Sequence, residues 1–81
     1  MPKLKSTADR SVSGNAVFSL RKKHSLNQHD FWSRISVTQS GGSRYETGRN
    51  IPKPVQHLIT IAYGDEAEAL ALFKSLRTPQ Q

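Results

Sequence analysis

Residues 26–49 read LNQHDFWSRISVTQSGGSRYETGR, and the first ten of them have the pattern of a short helix. Asn27 is a residue type that commonly caps the N-terminus of a helix. Apolar side chains follow at helical spacing, at Phe31, Trp32 and Ile35. The pattern predicts a helix over about residues 28–35 that turns two aromatic rings towards a core.

The second half of this stretch is ambiguous. Its Ser40-Gly41-Gly42-Ser43 segment is typical of a flexible linker. Two glycines inside a helix cost about 2 kcal/mol relative to alanine. Thr38 is nevertheless a good N-cap, and Tyr45 lies at helical spacing from the glycine pair. Local propensity alone favours a loop here, and a helix over residues 38–46 is the alternative.

Three further amphipathic patterns flank this stretch. The first starts near Asn15, a possible N-cap, and the second lies between Pro52, which a first helical turn tolerates, and Gly64, which stops a helix. The third starts at Asp65, which forms with Glu68 the pattern of a capping box. The apolar positions are Val17 and Leu20, then Val55, Leu58, Ile59 and Ala62, then Ala69, Leu70, Leu72, Phe73 and Leu76. The chain is therefore predicted to be all-α, with five short helices and no convincing strand.

The charge and composition narrow the class of protein. The 81 residues carry 12 Lys/Arg against 6 Asp/Glu, a formal charge of +6, and ten of those bases lie in residues 1–64. This excess favours duplex DNA or RNA as a partner over an anionic membrane, because no segment is a long basic amphipathic helix. A solvated, mildly basic surface is the alternative. The lack of cysteine excludes disulfides and thiolate metal sites.

The organisation along the chain is simple. Residues 1–14 contain few large hydrophobes and are predicted to form a flexible basic tail, followed by a folded domain at 15–77 and a short C-terminal tail at 78–81. No apolar stretch approaches the roughly 20 residues of a membrane span, and no secretory signal follows the first lysines. We expect a cytoplasmic protein, associated with the nucleoid of a bacterium or acting on phage DNA.

Residues 26–49 resemble the helix-turn-helix of phage repressor/Cro (XRE-type) transcriptional regulators. That family typically reads Leu-Thr-Gln, an apolar residue followed by Ala, a Gly-Val turn, a Ser-Gln-Ser start to the recognition helix, and then Glu-x-Gly. The resemblance covers about residues 15–64 and implies a lambda-repressor-like DNA-binding domain, with the helix-turn-helix motif at 28–46. It therefore reverses the preference for a loop and implies that residues 38–46 are helical.

The departures from the family pattern are informative. Trp32 stands where the family has a small Ala, and Gly42 stands where it has a bulky Ile or Val. The resemblance implies that these two positions face each other between the packed helices, so the exchange is expected to keep the total volume. Ser36 replaces the usual glycine of the turn and is expected to adopt a positive φ. Arg21 and Glu46 match positions that often form an ion pair, which we expect to be structural.

The resemblance also implies which residues contact DNA. The expected set is Gln28, Thr38, Gln39, Ser40, Ser43, Arg44, Arg49, Asn50 and Lys53. On the face of the third helix, Gln39 suits adenine and Arg44 suits guanine, with a phosphate contact as the alternative for Arg44. Gln28 is expected to hold a phosphate and to brace Gln39. The last three residues of the set are expected to contact the phosphates of the DNA backbone. The alternative is that they lie in a solvated loop without contacting DNA.

No catalytic site is indicated. The three histidines, His24, His29 and His57, lack metal-ligand spacing, and no cysteine or paired carboxylates accompany them. We expect no enzymatic activity, no metal and no cofactor.

The resulting expectation is a small transcriptional repressor that binds a double-stranded operator as a homodimer. The apolar surplus of the last helix is the expected dimer contact, and core filling is the alternative. The rival interpretation is an antitoxin that neutralises a partner toxin and controls its own operon. RNA binding is a less favoured interpretation, because the polar face lacks the aromatic residues that stack on the bases of single strands.

Overall fold

The computed structural model describes residues 13–78, which form five α-helices and no strand. The helices are α1 (Gly14–Lys23), α2 (Gln28–Ser33), α3 (Gln39–Glu46), α4 (Lys53–Tyr63) and α5 (Glu66–Arg77). The predicted all-α fold of five short helices is confirmed. The predicted tails lie outside the described residues except at positions 13, 14 and 78. None of the helices in residues 13–78 has the length and apolar character of a membrane span.

Side-chain caps start the two helices of the central stretch as predicted. The Asn27 side chain accepts a hydrogen bond from the Asp30 N–H at 2.8 Å. The Thr38 hydroxyl accepts one from the Gly41 N–H at 3.1 Å. Each bond pairs a backbone donor that the first turn of a helix leaves without an intrahelical partner. Thr38 therefore starts α3 in spite of the two glycines inside it.

The predicted starts of two other helices are wrong in detail. The N-cap of α1 is Ser13 and not Asn15, because α1 begins one residue before Asn15 and the Ser13 hydroxyl takes the capping bond. Both residue types are good caps, so propensity alone could not choose between them. Asp65 occupies the N-cap position of α5 but makes no side-chain capping bond, so the predicted capping box with Glu68 is absent.

A tight turn joins α2 to α3. The helix ends at Ser33, two residues before the predicted end at Ile35. The Ile35 and Val37 N–H groups both donate to the Trp32 carbonyl, at 3.1 and 3.0 Å, which closes the turn. Ser36 adopts a φ of 65°, which confirms the positive φ expected at this turn position.

The core lies between α1, α2, α4 and the segment that precedes α4. Its buried residues are Val17, Phe31, Trp32, Ile35, Ile51, Ile59 and Tyr63. The Phe31 and Tyr63 rings stack with centroids 4.1 Å apart, and the Tyr63 hydroxyl donates to the Phe31 carbonyl at 2.6 Å. This contact joins α4 to α2, and the burial of the phenol raises the pKa of Tyr63.

The packing of α2 on α3 depends on Trp32 and Gly42. Trp32 is fully buried, and an ideal Cβ built on Gly42 would overlap Cγ, Cδ1 and Cδ2 of its indole. The predicted exchange of volume between these positions is therefore confirmed. Because the glycine leaves space for the ring, the backbone of α3 lies directly on the indole.

Candidate nucleic-acid interface

Five polar residues meet where α2 begins beside the outer face of α3. They line one open depression: Gln28, Gln39, Ser40, Ser43 and Arg44. The two hydroxyls and two amides can both donate and accept hydrogen bonds. The guanidinium of Arg44 adds a positive charge and several N–H donors in a rigid, planar arrangement. The structure thus brings together five of the nine residues expected to contact DNA.

Two glutamines in this depression are linked to the interior. The Gln28 Nε2 donates to Glu46 Oε1 at 3.2 Å, and the Gln39 Nε2 approaches Gln28 Oε1 at 3.5 Å. An ionised carboxylate can only accept, so Glu46 fixes which end of the Gln28 amide turns inward. The Gln28 oxygen then faces Gln39, which agrees with the expected bracing of Gln39 by Gln28.

The carboxylate of Glu46 is the centre of a hydrogen-bond cluster that joins α1, α2 and α3. It accepts from Arg21 Nε and Nη2 at 2.9 and 3.0 Å, which confirms the expected ion pair. It also accepts from Trp32 Nε1 at 2.8 Å. The Glu46 side chain is only 4% exposed. Burial raises the pKa of Glu46, but hydrogen bonds from Arg21, Trp32 and Gln28 outweigh it, so the pKa lies below its usual value.

The bond between Trp32 and Glu46 was missed by the sequence interpretation, which treated the indole only as a space-filling group. The signal was present, because a buried indole N–H usually finds an acceptor. The acceptor is the carboxylate of Glu46, which was already expected to pair with Arg21. Glu46 therefore joins the three helices and orients Gln28 and, through it, Gln39.

The remaining expected residues lie around this depression rather than in it. Arg49 and Asn50 line a second open depression, next to the start of α1. Gly48, at a φ of 127°, turns the chain out of α3 before them. Lys53 is the exposed first residue of α4. Thr38 is also exposed, but its oxygen already caps α3.

The histidines form no metal site within the described part of the chain. No group of three or more His, Cys, Asp or Glu side chains there could hold a metal ion. His29 is paired with its exposed neighbour Asp30, with Nδ1 and Oδ1 3.3 Å apart. His24 makes an edge contact with the Tyr63 ring.

The turn between α2 and α3, together with the polar outer face of α3, defines a helix-turn-helix domain of the kind found in DNA-binding regulators. The family model described as the RsaL-like HTH domain matches residues 18–62, which is more than half of the chain. The chain therefore belongs to the RsaL-like helix-turn-helix family. Comparisons with curated proteins and with solved structures gave no match. The matched residues include α2, α3 and all of α4 but its last residue, and they end before α5.

Proposed function

We propose that this chain is a sequence-specific transcriptional repressor of the phage repressor/Cro (XRE) type, which binds operator DNA as a homodimer. Residues 15–77 would form the DNA-binding domain, and α3 would enter the major groove. The observation that carries the proposal is the depression where α2 meets α3. Its amide, hydroxyl and guanidinium groups are the chemistry that reads base edges. The formal charge of +6 supplies attraction to phosphates.

The orientation of Gln39 supports a role in reading adenine. Its Nε2 is turned towards Gln28, which leaves Oε1 and the second N–H directed away from this contact. An oxygen that accepts from adenine N6 and an N–H that donates to N7 form the usual bidentate pair. Arg44 is exposed in the same depression, where it suits guanine or, in the alternative, a phosphate.

The remaining residues are assigned to the DNA backbone. Two exposed donors, Arg49 and Asn50, follow α3, and a third, Lys53, is the first residue of α4. All three lie on segments that flank the recognition helix. Contacts of this kind set the position of a protein on the duplex without reading sequence. Thr38 is assigned a supporting contact from its position at the start of α3.

The test of the proposal is the variant Gln39→Ala. An operator duplex is first selected from a random pool, and binding is then followed by fluorescence anisotropy. We expect the variant to lose about 1–3 kcal/mol of specific binding, because one bidentate base contact is removed. Gln39 is exposed, so the thermal unfolding midpoint should stay unchanged. Equal affinity of the variant and the unmodified chain for the selected duplex would contradict the assignment.

Arg49→Ala is expected to behave differently. Because a phosphate contact is sequence-independent, the variant should bind selected and scrambled duplexes more weakly by a similar factor. The slope of log affinity against log salt concentration should decrease by about one. Lys23→Ala is the matched control, since it removes one exposed charge at the end of α1. A loss confined to one operator base pair, or an equal loss in the control, would count against the backbone role.

A second candidate function is that of an antitoxin, which neutralises a partner toxin and controls its own operon. It is favoured by the half-exposed apolar residues of α5, which suit a protein partner. The two candidates differ in what α5 binds. Co-expression with the product of an adjacent toxin-like reading frame would yield a stable complex for an antitoxin and none for a plain repressor.

A further inference from the structure

Helix α5 leaves most of its apolar surface uncovered. No residue of α5 is buried, and the helix packs mainly against α4. Leu70, Phe73 and Leu76 are 50%, 48% and 54% exposed. Side chains of this size, grouped on one short helix, indicate a contact surface. The family match ends at residue 62, so it does not account for this helix.

Two of these exposed side chains, Leu70 and Phe73, lie in a stripe that has a charged residue at each end. Glu66, Leu70, Phe73 and Arg77 recur at intervals of four, three and four residues, which places them on one face of the helix. The Arg77 guanidinium lies 5.4 Å from the centroid of the Phe73 ring, so these two side chains do share a side. We call these four residues the α5 stripe.

We propose that the α5 stripe binds the same stripe of a second copy of this chain, with the two helices antiparallel. Glu66 would then face the partner's Arg77, and Leu70 would face the partner's Phe73. The inference rests on the proposed function in one respect, because it supplies the contact through which that homodimer would form.

The spacing itself selects the antiparallel arrangement. Glu66 and Arg77 lie equally far from the midpoint between positions 71 and 72, and so do Leu70 and Phe73. One two-fold axis at this midpoint therefore satisfies both ion pairs and both apolar pairs at once, as an isologous interface requires. A parallel pair would bring Glu66 against the partner's Glu66. The antiparallel pair also sets each acidic helix start beside a basic helix end, which the helix dipoles favour.

Self-complementarity is the reason to choose a second copy over an unrelated protein. The stripe is acidic at one end, apolar in the middle and basic at the other end. It is therefore complementary to a copy of itself that is rotated about a two-fold axis. Two short helices give a small interface, so the association should be reversible. It should tighten when both copies occupy one duplex, because the second binding event becomes intramolecular.

The experiment is sedimentation equilibrium of the full chain without DNA, with charge-reversal variants. The unmodified chain should show a concentration-dependent monomer–dimer equilibrium. Glu66→Lys and Arg77→Glu should each weaken it by about tenfold or more, because each places two like-charge pairs across the axis. An equimolar mixture of the two variants should associate again, since every pair across the axis then has opposite signs. Glu68→Lys, the same charge change on another face of the first turn, should dimerise normally.

Two outcomes would overturn the proposal. One is an unmodified chain that stays monomeric at every concentration, which would leave the stripe to another partner. The other is a mixture of the two variants that associates no better than each alone while circular dichroism shows both folded. The proposed function is tested separately, by binding to a duplex with one half-site. A monomer that still discriminates this half-site would contradict dimerisation through α5 but support sequence-specific DNA binding. A dimer that does not discriminate the half-site would support dimerisation but contradict sequence-specific binding.

Discussion

Gly42→Ala is expected to lower the free energy of unfolding by about 3 kcal/mol, at the upper end of the cost of overpacking. An ideal Cβ at this position would overlap three atoms of the Trp32 indole. The ring is fully buried, and the close packing of a protein interior opposes its displacement. For a domain of this size the melting temperature should fall by about 12–24 °C. Thermal unfolding followed by circular dichroism measures the effect, and Gly42→Val should be more severe.

Gly41→Ala is the matched control for this prediction. A Cβ at position 41 would lie 3.2 Å from Thr38 Oγ1 and 3.5 Å from Val37 Cγ1, contacts that small shifts can accommodate. Alanine also favours a helix over glycine by about 1 kcal/mol. The two variants should therefore differ in stability although they introduce the same methyl group. An equal effect of both would show that helix propensity, and not the indole, governs position 42.

A double variant tests the volume exchange directly. Trp32→Ala alone creates a cavity, and Gly42→Val alone overpacks the contact. Combined, the valine enters space that the indole left, which is the arrangement typical of phage repressor/Cro proteins. We expect the double variant to be more stable than the sum of the two single changes predicts. Strict additivity would mean that the two positions do not share one space.

The second large effect is expected at Glu46. Glu46→Ala should cost about 3–5 kcal/mol, because it leaves the nearly buried Arg21 charge without its partner. It also removes the acceptor of the buried Trp32 N–H. The measurement is urea unfolding at neutral pH. Glu68→Ala, which truncates an exposed glutamate in α5, is the control and should change stability by less than about 0.5 kcal/mol. A loss at Glu46 as small as that in the control would contradict a structural role for the cluster.

The lowered pKa of Glu46 gives the same cluster a pH dependence. The unfolded chain has the ordinary glutamate pKa of 4.5, and the folded chain has a lower one. The ionised form is therefore favoured by folding, and its contribution is complete above the ordinary value. It decreases as the pH falls from the ordinary value through the folded-state pKa, because the unfolded state then binds a proton that the folded state resists. Glu46→Gln should flatten this part of the acid-unfolding curve, and an unaltered curve would assign the acid sensitivity elsewhere.

The local parts of the fold could be predicted because they depend on neighbours in sequence. Asn27 and Thr38 cap their helices through bonds to backbone N–H groups three residues on. The prediction of Asn15 as the N-cap of α1 was wrong, and Ser13 is the cap, because two good capping residues lie almost side by side. At Asp65 the pattern of the capping box was present, but the exposed carboxylate does not make the bond. A pattern allows a capping bond without requiring one.

The residues of the candidate site could be predicted, but the hydrogen bonds that join them could not. The resemblance supplied the residues of the depression, and the 3.6-residue period placed four of them on one face of α3. Glu46, which orients Gln28, accepts hydrogen bonds from residues 14, 18 and 25 positions away along the chain. No periodicity reports such contacts, because they exist only once three helices have packed.

The amino-acid sequence by itself determined the class of this protein: five short amphipathic helices, a basic surface and a polar face on the third helix. These features follow from the spacing of apolar residues and from the charges, which can be read from each segment without knowledge of the others. For the glycine pair, local propensity favoured a linker and the resemblance favoured a helix, and only the tertiary structure decided between them. Glycine weakens an isolated helix, but beside a buried indole it is the residue that leaves room for the ring. The energy of that contact depends on both partners, so neither segment could reveal it separately.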